Sequence, residues 1–477
     1  MSRLRRLSAL LLATNLAASL NSCGGGDPKT PTGPTPPTTA VAAVTVTATT
    51  STLTVGQSAP LVASAVTAGG QAVSAAPFTW QSEAPAVATV DATGKVTAEG
   101  SGTAVIAATS GTVRGTTTVV VQPGPAAPVA NLNKIIDSVR LAWKLPAMGA
   151  AIVTLEDGLV AVGAAGTRRA TGGNAVTTDD LWHLGSNTKA MTAMLAAVAV
   201  SENRIAWTTT IAEAFPEIAN IRAAYQTVTL RELLSHQSGL PSMVGEEGLG
   251  SGTTGVAQRA SMVPFVLQQP PSGSRGSYVY NNLGYVVAGA MLERAFGASF
   301  EAAMIARIFT PLGMTGANWG PQAAVGSTTQ PLPHRRQSDG SWSVLEAYGL
   351  PPVFNVSGTM HMSLATWGRF VREVLRVEAG TSTVALAAVA RETTSEVIAI
   401  GPGTSYGMGW VVATRPWANG KTLDHNGSDG GNFSLAVLAP VRNVAFLITT
   451  NGVDPSGTVQ ALGGVHARLV AFYNTGK

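Results

Sequence analysis

The hydrophobic pattern changes character several times along the chain. Residues 1–22 open with Arg3, Arg5 and Arg6 and pass into an apolar stretch at 7–20. This is the layout of a secretory signal peptide, too short for a comfortable membrane span. Glycine, proline and threonine dominate 24–37, so the segment 23–40 has little to bury and is expected to be a tether. Between 41 and 122 apolar residues come in short β-branched runs: Val44, Val46, Leu53, Val55, Leu61 and Val62, then Trp80, Val87, Val90, Val96, Val105 and Ile106. Gly56 and Gly69-Gly70 punctuate them, and no helical period emerges. About 80 residues of short strands predict a small all-β sandwich.

A second proline-rich linker occupies 123–130. Beyond it Leu132, Ile135, Ile136 and Val139 recur at helical spacing. Residues 148–155 and 159–162 read as strands joined through Asp157-Gly158, a strong hairpin signal. A helix-favouring run covers 190–200, and 433–438 reads as another strand. A helix before a hairpin, with helices and then strands later, predicts α+β organisation for 131–477.

Composition narrows the function. At 477 residues, 45% hydrophobic and 12% charged, the chain has ample apolar material for more than one domain. Its formal charge of +4 falls to +1 once 1–22 is removed, and no basic run with interleaved aromatics follows, so no nucleic-acid partner is expected. The single cysteine, Cys23, excludes an intramolecular disulfide. Leu20-Asn21-Ser22-Cys23 resembles the lipobox of bacterial lipoproteins, which implies lipidation at Cys23 and a membrane anchor in the cell envelope, periplasm or outer membrane. His183, His334, His361 and His466 show no mutual metal-ligand spacing, so neither metal nor cofactor is expected. Glu246 and Glu247, in a glycine-rich loop over 245–255, read as solvent-facing charges.

Of the seven lysines, only Lys189 follows a serine by three places, in Ser186-Asn187-Thr188-Lys189. On a helix such residues share a face, which sets the amine beside the hydroxyl. A serine hydroxyl needs a neighbouring base to become a nucleophile, and a lysine with its pKa lowered by burial can serve. The helix N-terminus would favour an oxyanion there. Taken alone the pair also fits an N-cap serine with a surface lysine.

Further blocks decide between these readings. They are Leu233-Leu234-Ser235-His236-Gln237-Ser238-Gly239-Leu240-Pro241, Tyr280-Asn281-Asn282-Leu283-Gly284-Tyr285, Pro311-Leu312-Gly313-Met314, Tyr406-Gly407-Met408-Gly409-Trp410 and His425-Asn426-Gly427-Ser428. In this order and spacing 131–473 resembles the β-lactamase-related serine hydrolases: class C β-lactamases, D-alanyl-D-alanine carboxypeptidases, D-aminopeptidases and family VIII carboxylesterases. The resemblance implies a β-lactamase/transpeptidase-like fold, an antiparallel sheet flanked by helices with a helical lobe. It also implies Ser186 as nucleophile, Lys189 as its base, Tyr280 as proton relay or rival base, and Asn282, His425, Gly427 and Ser428 around the substrate. Gly427 is expected to let substrate backbone approach, and the Ser428 N–H to pair with that of Ser186 around an oxyanion. His236 is read as structural. Val356-Ser357-Gly358 stands where relatives usually carry paired glycines.

His425 replaces the lysine of true β-lactamases and is mostly neutral at pH 7, which favours an esterase or D-amino-acid peptidase over a β-lactamase. The substrate is thus expected to be a small ester, amide or peptidoglycan peptide. Ala84-Pro85-Ala86-Val87-Ala88-Thr89-Val90-Asp91, Gly94-Lys95-Val96-Thr97 and Gly102-Thr103-Ala104 resemble a bacterial Ig-like domain of group 2, which implies a spacer or adhesive module. A catalytically silent envelope-binding lipoprotein is the alternative of another class.

Overall fold

The computed structural model describes residues 40–54, 56–100, 102–122, 129–242, 252–346 and 349–475. The signal segment, most of the tether with Cys23, and Glu246 and Glu247 lie outside them. Two compact units divide the chain, Met1–Pro125 and Ala126–Lys477.

In the first unit eight strands form two four-stranded sheets. One runs in the order Ala43–Ala48, Ser58–Val66, Lys95–Ala98, Ala88–Val90; the other Thr52–Thr54, Val113–Gln122, Gly102–Ser110, Thr79–Ser82. Strand side chains alternate between faces, so of neighbouring Leu61 and Val62 only the first enters the core, and Val62 is 57% exposed. Leu61 packs with Leu53, Val96, Ile106 and Val119.

The second unit is built on a nine-stranded sheet. Its order is Ile398–Gly401, Thr404–Tyr406, Val411–Arg415, Gly420–Ser428, Phe433–Ala439, Val444–Thr450, Ala147–Thr154, Gly158–Gly166, Ala130–Asn131. All neighbours are antiparallel except the last pair, so the sheet expected to be antiparallel is mixed at that one edge. The predicted hairpin forms around Asp157-Gly158, and its first strand pairs with the far end of the chain, Met148 opposite Thr450.

Both faces of this sheet are covered. Ile136 and Val139 of the helix Asn133–Trp143 and Leu462 and Val465 of Thr458–Thr475 pack on Phe446 and Ile448. Ala445 and Leu447, which alternate with them in sequence, face the larger core that holds the helices Thr188–Ser201, Asn282–Phe296 and Leu364–Ala379. Burial on two sides is why Val444–Thr450 opens on an unbroken apolar run, 444–448, and shows no alternation. The helix Thr188–Ser201 is buried from Thr188 to Ala199, with Lys189 among leucine, methionine and alanine neighbours. A charged side chain in such surroundings demands an explanation.

Candidate active site

Ser186 stands in a single 3-10 turn, Gly185–Asn187, that leads directly into the helix Thr188–Ser201. The turn is fastened to the sheet. Asn187 Nδ2 donates to Ser434 Oγ at 2.8 Å, and Ser434 Oγ donates to the Leu184 carbonyl at 2.7 Å. Helical spacing then does what the sequence predicts, placing Lys189 Nζ 3.0 Å from Ser186 Oγ.

Two more contacts define the state of that amine. Lys189 Nζ lies 2.7 Å from Asn282 Oδ1 and 2.8 Å from the Ser357 carbonyl oxygen, both pure acceptors. Lys189 is fully buried, and loss of water holds its pKa well below the ordinary lysine range. A neutral amine has two N–H groups and one lone pair. Asn282 and Ser357 take the N–H groups, so the lone pair is left for the Ser186 hydroxyl proton.

Tyr280 approaches from the other side. Its phenol hydrogen-bonds Ser186, and its ring centroid is 4.8 Å from Lys189 Nζ. The sequence allowed a phenolate held by a nearby ammonium. Burial pushes the Tyr280 hydroxyl above the ordinary tyrosine range, and the Ser186 hydrogen bond only partly offsets it. That direction favours the neutral phenol, a group able to pass a proton.

The segment carrying Tyr280 and Asn282 is positioned by the residue between them. Asn281 caps the helix Asn282–Phe296 by accepting from Gly284 N at 3.0 Å, and its amide donates to the Leu240 and Pro241 carbonyls at 2.7 and 2.8 Å. Its backbone N–H donates to His236 Nδ1 at 3.0 Å. His236, at φ +62° after the helix Leu230–Leu234, sets its ring 4.4 Å from that of Tyr280 and, 1% exposed, has its pKa held well below the ordinary histidine range chiefly by burial. It supports the tyrosine, the structural role expected of its block.

The strand Gly420–Ser428 closes the site. Its Gly427 is pressed against the turn that carries Ser186: a Cβ there would fall 2.0 Å from the Leu184 carbonyl oxygen and 2.6 Å from Ser186 N. Gly185, at φ +51°, is the counterpart, since a Cβ on it would lie 2.4 Å from Ser428 N. Gly427 therefore makes room for the protein's own turn. Ser428 spends its hydroxyl in the following turn, donating to Asn432 O at 2.8 Å and accepting from Gly430 N at 3.0 Å, so its backbone is what it presents to the site.

His425 is placed beside the site, yet both ring nitrogens are engaged within the protein. Nδ1 lies 2.5 Å from the Asn426 carbonyl and Nε2 3.2 Å from the Tyr406 hydroxyl. At 4% exposure, burial and then Lys189 push its pKa down to about 3. With Nδ1 as donor and Nε2 as acceptor the ring is neutral. The sequence missed Gly185, Ser357 and Tyr406. Tyr406 had a visible signal in its Tyr406-Gly407-Met408-Gly409-Trp410 block, whereas Ser357 contributes a backbone carbonyl, which no residue type announces.

Among known proteins, residues 140–469 match the Beta-lactamase family model and 63–112 the intimin immunoglobulin-like domain model. Over 347 residues the chain is 28% identical to penicillin-binding protein 4 of Amycolatopsis lactamdurans, covering 68% of this chain and 85% of that one. It is 26% identical to the unguisins hydrolase of Aspergillus violaceofuscus over 38% of this chain and 33% of that one. Penicillin-binding protein 4* of Bacillus subtilis is 22% identical over 50% of this chain and 54% of that one. The match thus spans only a third to about half the length of these last two. The fold is also that of the octameric penicillin-binding protein homologue from Pyrococcus abyssi, with a TM-score of 0.55 at 20% identity, over 68% of this chain and 74% of that one. The model match runs from the helix Asn133–Trp143 into Thr458–Thr475 and encloses every residue of the Ser186 site, so the chain belongs to the beta-lactamase family and carries an immunoglobulin-like domain ahead of it.

Proposed function

We propose that this chain is a serine hydrolase that forms an acyl-enzyme on Ser186 from an ester or amide. The observation that carries the reading is the buried Lys189 amine, 3.0 Å from Ser186 Oγ and 2.7 and 2.8 Å from the acceptors of Asn282 and Ser357; a neutral amine there gives its N–H groups to those two and keeps its lone pair for the serine. In the forward step the Ser186 proton passes to Lys189 while Oγ bonds to the substrate carbonyl carbon. The carbonyl oxygen takes the negative charge and meets the N–H groups of Ser186 and Ser428, which Gly185 and Gly427 bring together. The tetrahedral intermediate collapses, the leaving group takes a proton from Tyr280, and Lys189 returns one to Tyr280. Water then repeats the sequence to release the acid.

Within this class an ester or D-amino-acid peptide is favoured over a β-lactam. A neutral His425 gives no permanent positive charge for a substrate carboxylate, where a lysine would. A fluorophosphonate probe is expected to label the purified protein once, on the peptide containing Ser186, as read by mass spectrometry. No label, or a label elsewhere, would leave a catalytically silent envelope protein as the better reading. The proposal includes a lipid on Cys23, supported by the signal-peptide pattern and the tether after it. Mass spectrometry of the mature N-terminus is expected to find a diacylglyceryl cysteine; an unmodified start at another residue overturns this part.

A further inference from the structure

A cavity of about 170 Å³ opens against Tyr280 and His425. Its position follows from the sheet. Val411 is the first residue of its strand and pairs with Asp424, so that strand ends there while its neighbour continues through His425 to Ser428. The cavity lies where the partner strand stops. Tyr278, Tyr280 and Tyr406 wall it, and Val411 and Leu435 supply its aliphatic surface.

Three features say what fits. The first is size: a cavity of about 150 Å³ accommodates a benzene ring. The second is surface, since aromatic and aliphatic walls with a few hydroxyls suit a flat apolar group. The third is charge. Asp424 is the one formally charged side chain among the described lining residues, with Arg415 bonded to its Oδ2 at 2.6 Å and His425 neutral. A carboxylate entering here would meet an aspartate and no free cation.

The side of the reaction is fixed by Tyr280. Its phenol hydrogen-bonds Ser186 and supplies the proton that the departing group needs, so the space that Tyr280 lines goes with that group and not with the acyl part. We infer that the cavity walled by Tyr278, Tyr280 and Tyr406 is a leaving-group pocket, and that it takes an uncharged group about the size of one aromatic ring. The inference rests on the acyl-enzyme reading above and specifies its substrates as aryl or similarly small apolar esters and amides.

Acetate esters test it, because phenyl, 4-carboxyphenyl and methyl acetate all give the same acetyl-enzyme and differ only in what leaves. With the full chain, kcat/KM for phenyl acetate is expected to exceed that for 4-carboxyphenyl acetate at least about tenfold. Val411→Trp, which fills the pocket, is expected to lower the phenyl-to-methyl ratio of kcat/KM about tenfold to a hundredfold, and the deacylation rate after the burst to stay at the wild-type value. Tyr278→Ala, which enlarges the pocket, is expected to raise the 2-naphthyl-to-phenyl ratio about tenfold, giving a second reading if the tryptophan variant does not fold. An unchanged phenyl-to-methyl ratio in folded Val411→Trp, or a changed deacylation rate, overturns the pocket assignment while leaving the acyl-enzyme intact. Absence of both burst and Ser186 label in the wild type removes the acyl-enzyme reading itself, and the pocket with it.

Discussion

Lys189→Ala, Tyr280→Phe and the double variant are each expected to acylate at about 10⁻³ to 10⁻⁴ of the wild-type rate, with the double scarcely worse than the singles. The reason is that the two side chains serve one proton path. Lys189 Nζ is 3.0 Å from Ser186 Oγ and accepts its proton; the Tyr280 phenol, bonded to the same oxygen, passes it on. Cutting the path at either point stops it, so the losses do not add. Tyr280→Phe keeps the ring that packs on His236 and removes only the hydroxyl. Single-turnover acylation by a chromogenic ester, with circular dichroism as folding control, measures the set. The pH dependence has a defined sign. The competent Lys189 is neutral, and burial alone lowers its pKa. Below that lowered pKa the lone pair is protonated and Ser186 loses its base, so wild-type acylation falls as pH falls through it. The same limb is expected to vanish from the residual activity of Lys189→Ala. Near-normal acylation by Tyr280→Phe would remove the tyrosine from the mechanism.

The parts of this site that were legible in the sequence are those fixed by local geometry. Ser186 and Lys189 are three apart on a helix, so their contact needs nothing but the helix. Tyr280 and Asn282 come from a segment almost a hundred residues away, and only the family resemblance brought them to the nucleophile. The third partner of Lys189 is the Ser357 carbonyl, which any residue could supply, so the departure from paired glycines at Ser357 costs this contact nothing. The need for a glycine at 427 was legible, but its contact with the Ser186 turn was not, because a glycine that admits a ligand and one that admits the protein's own backbone look alike until both neighbours are seen. The sheet behaves similarly. Alternation exposes strands with one wet face, as Leu61 beside Val62 shows, but Val444–Thr450 is buried on both faces and has no alternation to read. Its pairing with Ala147–Thr154 joins the two ends of the domain, and hydropathy carries no information about that.

Gly427→Ala is expected to lower kcat/KM by about 10² to 10³, mainly through kcat. The added methyl would overlap the Leu184 carbonyl oxygen, 2.0 Å away, and Ser186 N, 2.6 Å away, so either the strand or the nucleophile turn must move. The turn resists, because Asn187, Ser434 and the Leu184 carbonyl form a buried hydrogen-bonded chain that a shift would break. The strand is held on its other edge, where Asn426 pairs with Leu435 and Gly427 with Ser434. Whichever yields, the N–H groups of Ser186 and Ser428 separate and no longer converge on one oxygen. That damage falls on the charged intermediate more than on bound substrate, which is why kcat carries it. Ser428→Ala is the control, since it keeps the backbone N–H and loses only the hydroxyl bonds to Asn432 and Gly430; it is expected to cost less than about tenfold. Steady-state kinetics on a small ester, with thermal melting to follow the fold, decide between the outcomes. A folded Gly427→Ala retaining more than about a tenth of wild-type kcat would show that the contact between Gly427 and the nucleophile turn does not set the oxyanion site.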